Sequence, residues 1–266
     1  MPNVAMLGAT GRMGRVIVPL LHEAGDLRLT GALAAAGDPG VGIDAGMLAG
    51  IAPLGVAVTD DLARALIGAA VAIDFTGPAA SVEHARHCRD LGCALVVGAT
   101  GHDGAQRAVL EAVTDRIPVV LAPNMSVGVN LLFRLAELAA RALGPDYDIE
   151  IFEAHHRNKV DAPSGTALGL GQAAATGRGG RLDELAEYAR HGQGGVREPG
   201  RIGFSVMRGG DIVGEHRMVF AGPGEQVELV HRAQDRTSFA RGALAAARWV
   251  VGRPPGLYTM QDVPGL

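Results

Sequence analysis

The sequence predicts an α/β fold: a doubly wound, mainly parallel sheet, followed by a second α+β domain built on a mixed sheet. Three observations carry this. Short apolar runs alternate with helical patterns from Asn3 to Leu121, the signature of strand-helix-strand units. Glycine or small-residue tips close several of those runs, at Gly8 to Gly14, Gly98 to Gly101 and Ala122 to Met125, and such tips are where doubly wound sheets hold ligands. After Met125 the rhythm changes. Three strand-like runs, Ile202 to Arg208, Ile212 to Ala221 and Gln226 to Ala233, follow one another with only glycine-rich turn signals between them.

Asn3 to Gly8 is a short apolar strand, and GATGRMG (Gly8 to Gly14) leads into Val16, Ile17, Leu20 and Leu21 at helical spacing. The Gly-x-x-Gly-x-x-Gly spacing supports a tight turn and close backbone approach of a pyrophosphate to a helix N-terminus. Glycine turns also occur for packing alone, so the position at the first strand-helix turn is what gives the motif its weight. Leu27 to Ala34 is the second strand. Its tip reads Ala34, Ala35, Ala36, where many dinucleotide folds carry a ribose-binding acid; Asp38 arrives later, in a Gly/Pro loop. Gly37 to Gly55 reads as a long surface loop, Val56 to Thr59 as a strand, and Asp60 as the cap of a short helix ending at Ile67. Val71 to Phe75, Ala94 to Val97 and Ile117 to Leu121 are further strands, with helices over Pro78 to Arg89, stopping at Gly92, and Asp103 to Val113. Ser126 to Leu143 is one long helix with Leu131, Leu132, Leu135 and Leu138 on its apolar face. Thr237 to Val251 is a last helix, apolar at Phe239, Ala243, Leu244, Ala247 and Val250, expected to pack back on the first domain. The expected domains are residues 1–126, 127–236, and a returning C-terminal segment 237–266.

Composition narrows the function. With 48% hydrophobic and 20% charged residues in 266, a large core is available and disorder is not expected. Net charge is -4 without any run of like charge, so nucleic acid and anionic membrane have no electrostatic footprint. No apolar run reaches membrane-spanning length and no basic leader precedes the first strand, so a cytoplasmic location is expected. Cys88 and Cys93 read as buried small apolar groups rather than a metal pair.

The chemistry concentrates in Glu153 to Thr166, EAHHRNKVDAPSGT. A strand-like run from Tyr147 to Phe152 ends in two histidines, an arginine and Lys159. Pro163, Ser164, Gly165 and Thr166 then signal a helix start, whose free N–H groups favour anions. Lys159 is the only lysine in the chain. Arginine does not deliver a proton near neutral pH, whereas lysine can, so the stretch suits an acidic substrate that must also gain a proton. The plainer reading of a solitary lysine is a solvated surface position, and its place beside His155, His156 and Arg157 weighs against that. Adjacent residues on a strand end point to opposite faces, so the two histidines do not chelate one ion and no metal site is expected. Asp161 reads as an Asx-type loop organiser, Ser164 as a helix cap rather than a nucleophile, and His22, His84, His87, His102 and His191 as structural or solvent-exposed.

GATGRMG together with EAHHRNKVDAPSGTA, IDFTGP (Ile73 to Pro78), APNMSVGVN (Ala122 to Asn130) and GDIVGEH (Gly210 to His216) resembles the 4-hydroxy-tetrahydrodipicolinate reductase (dihydrodipicolinate reductase) family, over essentially the whole chain. The resemblance implies a Rossmann-like N-terminal domain, a C-terminal domain whose sheet assembles a homotetramer, and NADH or NADPH as cofactor. It implies reduction of a cyclic dicarboxylate imine with loss of water, in the diaminopimelate route to lysine. By position, His155 and Lys159 match the family's acid/base pair, and His156, Lys159, Gly165 and Thr166 its substrate-carboxylate contacts. Gly8, Ala9, Thr10, Gly11, Arg12 and Met13, then Gly98, Ala99 and Thr100, then Ala122, Pro123, Asn124 and Met125, match its cofactor contacts. Two positions depart from the pattern. Relatives often carry an acid followed by arginine at Ala34 and Ala35, and threonine at Ala99. Nothing at Ala34 or Ala35 bonds a ribose hydroxyl or repels a 2′-phosphate, and Arg12 is available to a phosphate. Use of both cofactors within about tenfold, about 1.4 kcal/mol, is therefore expected. A Rossmann protein that senses NAD without turnover is the alternative; it needs the glycine turn but not the His/Lys pair. A semialdehyde dehydrogenase needs a thiolate that neither cysteine supplies.

Overall fold

Strands of branched and small apolar residues alternate with amphipathic helices through the first half of the chain. They are β1 (Asn3–Leu7), α1 (Gly14–Ala24), β2 (Arg28–Leu33), the short α2 (Ala45–Leu48) and α3 (Leu62–Leu66), β3 (Val71–Asp74), α4 (Pro78–Leu91), β4 (Ala94–Val97), α5 (Gly104–Ala112) and β5 (Pro118–Leu121). Then come α6 (Val127–Leu143), β6 (Asp148–His155), α7 (Gly165–Gly177), α8 (Leu182–Leu185), β7 (Ala186–Glu187), β8 (Ile202–Arg208), β9 (Gly214–Gly222), β10 (Glu225–Ala233), α9 (Thr237–Val250) and β11 (Gly256–Tyr258). This computed structural model describes residues 1–263, so residues 264–266 of the C-terminal segment lie outside the described residues. The chain divides into two units, Met1–Val127 with the chain from Arg236 onward, and Gly128–Asp235.

In the first unit six parallel strands lie in the order β11-β5-β4-β3-β1-β2. The chain leaves β1 for β2 on one side and returns to β3 on the other, which creates a switch point beside the carboxyl end of β1. Alternation along β1 explains why both faces are covered. Val4 and Met6 pack with Ile17, Val18 and Leu21 of α1 and Ala243, Leu244 and Val250 of α9. Ala5 and Leu7 pack with Ala85 and Cys88 of α4 and Leu110 of α5 on the opposite face. Each fully buried branched side chain in these strands contributes about 1.5–3 kcal/mol by its removal from water. At Gly242 in α9 an added Cβ would sit 1.7 Å from the Met125 carbonyl oxygen, so only a bare backbone fits that approach.

Between β2 and β3 the structure departs from the sequence reading. Gly37 to Gly55 is not a plain loop, because α2 forms inside it around Asp44. That carboxylate accepts from the N–H groups of Gly46, Met47, Leu54 and Val56 and ties both ends of the segment together. Val56 to Thr59 makes only isolated bridges, Asp44 to Ala57 and Leu33 to Thr59, rather than a strand. The cap of α3 is Asp61, not Asp60, because the Thr59 hydroxyl takes the Asp61 N–H and turns Asp61 toward Arg64 N.

The second unit carries a five-stranded mixed sheet in the order β10-β9-β6-β8-β7. β6 runs parallel to β8 and antiparallel to β9. One face packs Ile149, Ile151, Phe204, Met218 and Phe220 against α6 and α7. The apolar face assigned to α6 from sequence is corrected at three of its four residues. Leu132 is buried, but Leu131, Leu135 and Leu138 are exposed, and the inward face is Val129, Leu132, Phe133, Ala136 and Ala140. α6 is apolar on two sides, and shape selects between them. Small residues face α7, where a Cβ at Gly177 would stand 2.4 Å from the Glu137 carbonyl and 2.9 Å from the Ala140 methyl. No helix among the described residues is long and apolar enough to cross a membrane.

Candidate active site

In the first unit the residues matched to cofactor contacts stand at the carboxyl ends of three strands. Gly8 to Met13 follow β1, Gly98 to Thr100 follow β4, and Ala122 to Met125 follow β5. The glycine turn is tied to the end of β2, since Gly8 N and Ala9 N both donate to Leu33 O, at 3.0 and 2.8 Å. Gly8 has φ +86°, and a Cβ at Gly14 would meet the carbonyl oxygens of Gly8 and Ala9 at 2.3 and 2.5 Å. The turn is therefore bare backbone at Gly8 and Gly14, and Met13 at the cap position supplies no side-chain hydrogen bond to α1. Such a cradle fits a pyrophosphate. Gly98 is equally constrained, with its missing Cβ 2.4 Å from the Phe75 ring. Ala99, Thr100, Ala122 and Pro123 line a cleft of about 470 Å³ at the same edge. Asn124 accepts from Ser126 N, and Met125 is buried. Beneath this edge Asp74, at the end of β3, accepts from His84 Nδ1 at 2.8 Å and from Thr76. His84 is thus structural.

The second unit holds the His155 and Lys159 stretch, organised around a buried carboxylate. Glu153 is 1% exposed and takes four hydrogen bonds. Oε2 accepts from His155 Nδ1 at 2.6 Å and Arg208 Nη1 at 2.8 Å; Oε1 accepts from Ser164 N at 2.9 Å and Arg208 Nη2 at 2.7 Å. Burial acts to raise the Glu153 carboxyl, but Arg208, His155 and the Ser164 N–H outweigh it and hold the group below its usual range. His155 is lowered as well, but by burial itself, which pulls the imidazole below its usual range against the opposing pull of Glu153. His155 is therefore neutral near pH 7, with its proton on Nδ1 facing the carboxylate and Nε2 left as an acceptor.

Lys159 Nζ reaches both oxygens of Asp161 at 2.8 Å. Asp161 is consequently an ion-pair partner and not an Asx-type organiser, because the loop backbone takes other acceptors, such as Lys159 N to His156 O. Ser164 caps α7 as expected, accepting from Ala167 N at 3.2 Å, while its Oγ also pairs with His216 Nε2 at 2.9 Å. His216 stands edge-on to His155 with ring centres 5.1 Å apart. Burial, and then the neighbouring His155, push its pKa down to about 3. Gly165 opens α7 on the exposed side, with nothing within 4 Å of an added Cβ, and Thr166 follows it. His156 is half-buried, with a buried Nδ1 that has no hydrogen-bond partner among the described residues. His155, His156, Lys159, Gly165 and Thr166 thus lie in one strand-loop-helix segment.

Three members of the cluster were not singled out from sequence: Glu153, Arg208 and His216. One signal was available for the first. Glu153 and His155 are two residues apart on a strand and share the inward face of Ile149 and Ile151, where an unpaired acid is costly. The other two follow only from register, which sets Arg208 of β8 opposite His155 and His216 of β9 opposite Glu153.

Comparison with known proteins covers both units. Residues 2–125 match the family profile described as dihydrodipicolinate reductase, N-terminus, and residues 128–263 match dihydrodipicolinate reductase, C-terminus. A protein of Anaeromyxobacter dehalogenans strain 2CP-1, named 4-hydroxy-tetrahydrodipicolinate reductase, is 53% identical over 266 residues, covering 100% of this chain and 98% of its own. One of Alkalilimnicola ehrlichii with the same name is 55% identical over 264 residues, covering 99% of each. Among solved structures, a dipicolinate-bound dihydrodipicolinate reductase from Paenisporosarcina sp. TG-14 superimposes with a TM-score of 0.78 at 25% identity, over 97% of both chains.

Proposed function

The chain belongs to the dihydrodipicolinate reductase family, and on that premise we propose how its own residues divide the work. The activity is NAD(P)H-dependent reduction of 4-hydroxy-tetrahydrodipicolinate to tetrahydrodipicolinate with loss of water, in diaminopimelate and lysine biosynthesis. Residues 1–126, with the returning segment 237–266, form the dinucleotide-binding domain; residues 127–236 bind the substrate and carry the assembly surface. The glycine turn Gly8 to Met13 and the tips Gly98 to Thr100 and Ala122 to Met125 hold the cofactor, which supplies a hydride when bound.

The net change takes up one hydride and one proton and expels one water. Lys159 is the donor, because its ammonium carries transferable protons, whereas the Glu153 carboxylate holds the His155 proton on Nδ1. Loss of water removes a ring C–H proton, which the bare Nε2 of neutral His155 accepts, while the Lys159 proton goes to the departing hydroxyl. His155 returns its proton after hydride addition and solvent reprotonates Lys159, so one proton is taken up overall. His156, Lys159 and the N–H groups of Gly165 and Thr166 at the start of α7 receive the substrate carboxylates. The Glu153–His155 pair carries this reading: a carboxylate that fixes the tautomer of a buried imidazole is superfluous in a protein that only senses NAD.

The test compares initial rates of NADH oxidation with freshly made substrate. Lys159→Arg keeps the charge and removes the transferable proton, so turnover falls by roughly 10²–10⁴ with a smaller change in KM. His155→Gln lowers turnover too, while NADH binding by titration stays near wild type. Turnover retained in both variants would refute the acid/base assignment.

We place the enzyme in the cytoplasm as a homotetramer, with activity in the soluble fraction of source cells as the check on the first. The face of the second sheet away from α6 and α7 supports the assembly. Register aligns Ser205, Phe152, Arg217 and Val230 in one row across four strands there, and Met207 and Val230 are exposed. The face is mixed, with exposed Met207 and Val230 set among the Arg217–Glu228 and Arg232–Glu215 ion pairs, and it is the surface we assign to the assembly.

A further inference from the structure

Ala34 and Ala35 by themselves predict no discrimination between NADH and NADPH. The fold of the next five residues changes that. Gly37, with φ +77°, turns the chain so that Asp38 N donates to Ala35 O at 3.1 Å, a geometry that needs glycine at the third turn position. The Asp38 side chain is thereby brought back over the tip of β2 and onto the glycine turn. Its Oδ2 accepts from Thr10 Oγ1 at 2.8 Å and its Oδ1 from Gly40 N at 2.8 Å. Gly40 is held against the same turn, since an added Cβ would stand 2.6 Å from the Thr10 methyl. A carboxylate therefore stands beside the phosphate cradle at the end of the second strand, although residues 34–36 are all alanine.

We propose that Asp38 reads the adenosine ribose and makes NADH the preferred cofactor of this chain. This rests on assigning the glycine turn to a nicotinamide dinucleotide. Two of the carboxylate's roughly four acceptor directions are used, by Thr10 and Gly40, and one on each oxygen remains for the two ribose hydroxyls. A 2′-phosphate would set about −1.5 to −2 charges beside the same carboxylate. The Gly40 N–H and the Thr10 hydroxyl, with Arg15 assisting, hold Asp38 below the usual carboxylate range, so it is ionised when the cofactor arrives. Arg15 is also committed to the turn, its Nε donating to Thr10 O at 3.0 Å. It stabilises Asp38 as well as offering charge to a phosphate.

The experiment is a substrate-free titration of the full chain with NADH and with NADPH, followed by kcat/KM for each. Exchanging a charge-assisted hydrogen bond for carboxylate–phosphate repulsion should favour NADH on the order of 10²-fold. Asp38→Asn keeps an acceptor for Gly40 N and a partner for Thr10, so the loop is retained while the charge is lost. In that variant the ratio should shrink by about tenfold or more, chiefly through tighter NADPH binding, with an unchanged melting temperature. Wild-type affinities within tenfold of each other, tighter binding of NADPH, or a ratio unmoved in Asp38→Asn would overturn the proposal. Should neither cofactor be oxidised with substrate present, the reaction assignment fails, and the substrate-free ratio still decides the role of Asp38.

Discussion

Glu153→Gln is the sharpest probe of the cluster in the second unit, because it preserves shape and changes only what the side chain offers. Glu153 accepts four hydrogen bonds on two oxygens and is 1% exposed. A glutamine provides one oxygen and one NH₂, so two of the four donors must face another donor whichever way the amide is turned. With the oxygen kept toward Ser164 N and Arg208 Nη2, the NH₂ faces His155 Nδ1 and Arg208 Nη1. His155 can relieve one clash by moving its proton to Nε2 and accepting at Nδ1. One charge-assisted bond from Arg208 is then lost outright in a buried site, and the expected loss of stability is about 2–4 kcal/mol. The cost to function is separate. The exchanged tautomer removes the bare Nε2, and turnover should fall by roughly 10²–10⁴, as expected for a wrongly protonated catalytic imidazole. Three measurements distinguish these effects: chemical denaturation, turnover with saturating NADH, and NADH affinity, which reads the first unit and should stay near wild type. A variant that loses stability yet turns over within about threefold of wild type would show that Glu153 is only structural.

Stability should also depend on pH through the buried histidines. The folded pKa of His216 is about 3, below the roughly 6.5 of the unfolded chain, so between these values the unfolded chain binds the extra proton and stability rises with pH. The contribution is complete above about pH 6.5 and is lost as pH falls, amounting to about 1.4 kcal/mol between pH 7.5 and 5.5 from this residue. His155 and His231, also lowered by burial, act in the same direction. Denaturant titrations at the two pH values check this, and His216→Asn should reduce the difference by about that amount; an unchanged difference contradicts the assignment. For assembly, light scattering at micromolar concentration should give four times the chain mass, and a charge placed on the uncovered sheet face, Val230→Asp, should lower it. A monomeric wild type removes the homotetramer.

Much of the first unit was legible in the sequence because its signals are local. β1, the GATGRMG turn and α1 are written in consecutive residues, and the stop at Gly92, like the Ser164 cap in the second unit, requires chemistry that only a few residue types provide. The strand-loop-helix around Lys159 was legible for the same reason: its matched residues are adjacent in the chain, and no folding is needed to gather them. The sequence by itself determined the alternating elements, the glycine cradle and the segment that carries His155 and Lys159. It did not determine partners that depend on distance along the chain. Arg208 is 55 residues from Glu153 and His216 is 52 from Ser164; each meets its partner only because β8 and β9 flank β6 in one register. The inward face of α6 was decided by the shape of Gly177 and Ala140, where hydrophobicity alone favoured Leu131, Leu135 and Leu138. Asp38 falls between these cases. Its Asx-type turn onto Gly40 is local, but its contact with Thr10 spans 28 residues. That contact exists because parallel pairing of β1 with β2 brings the ends of the two strands side by side. Short-range chemistry can be read from the order of residues, whereas the pairing of charges across a sheet belongs to register and packing, which the whole chain sets together.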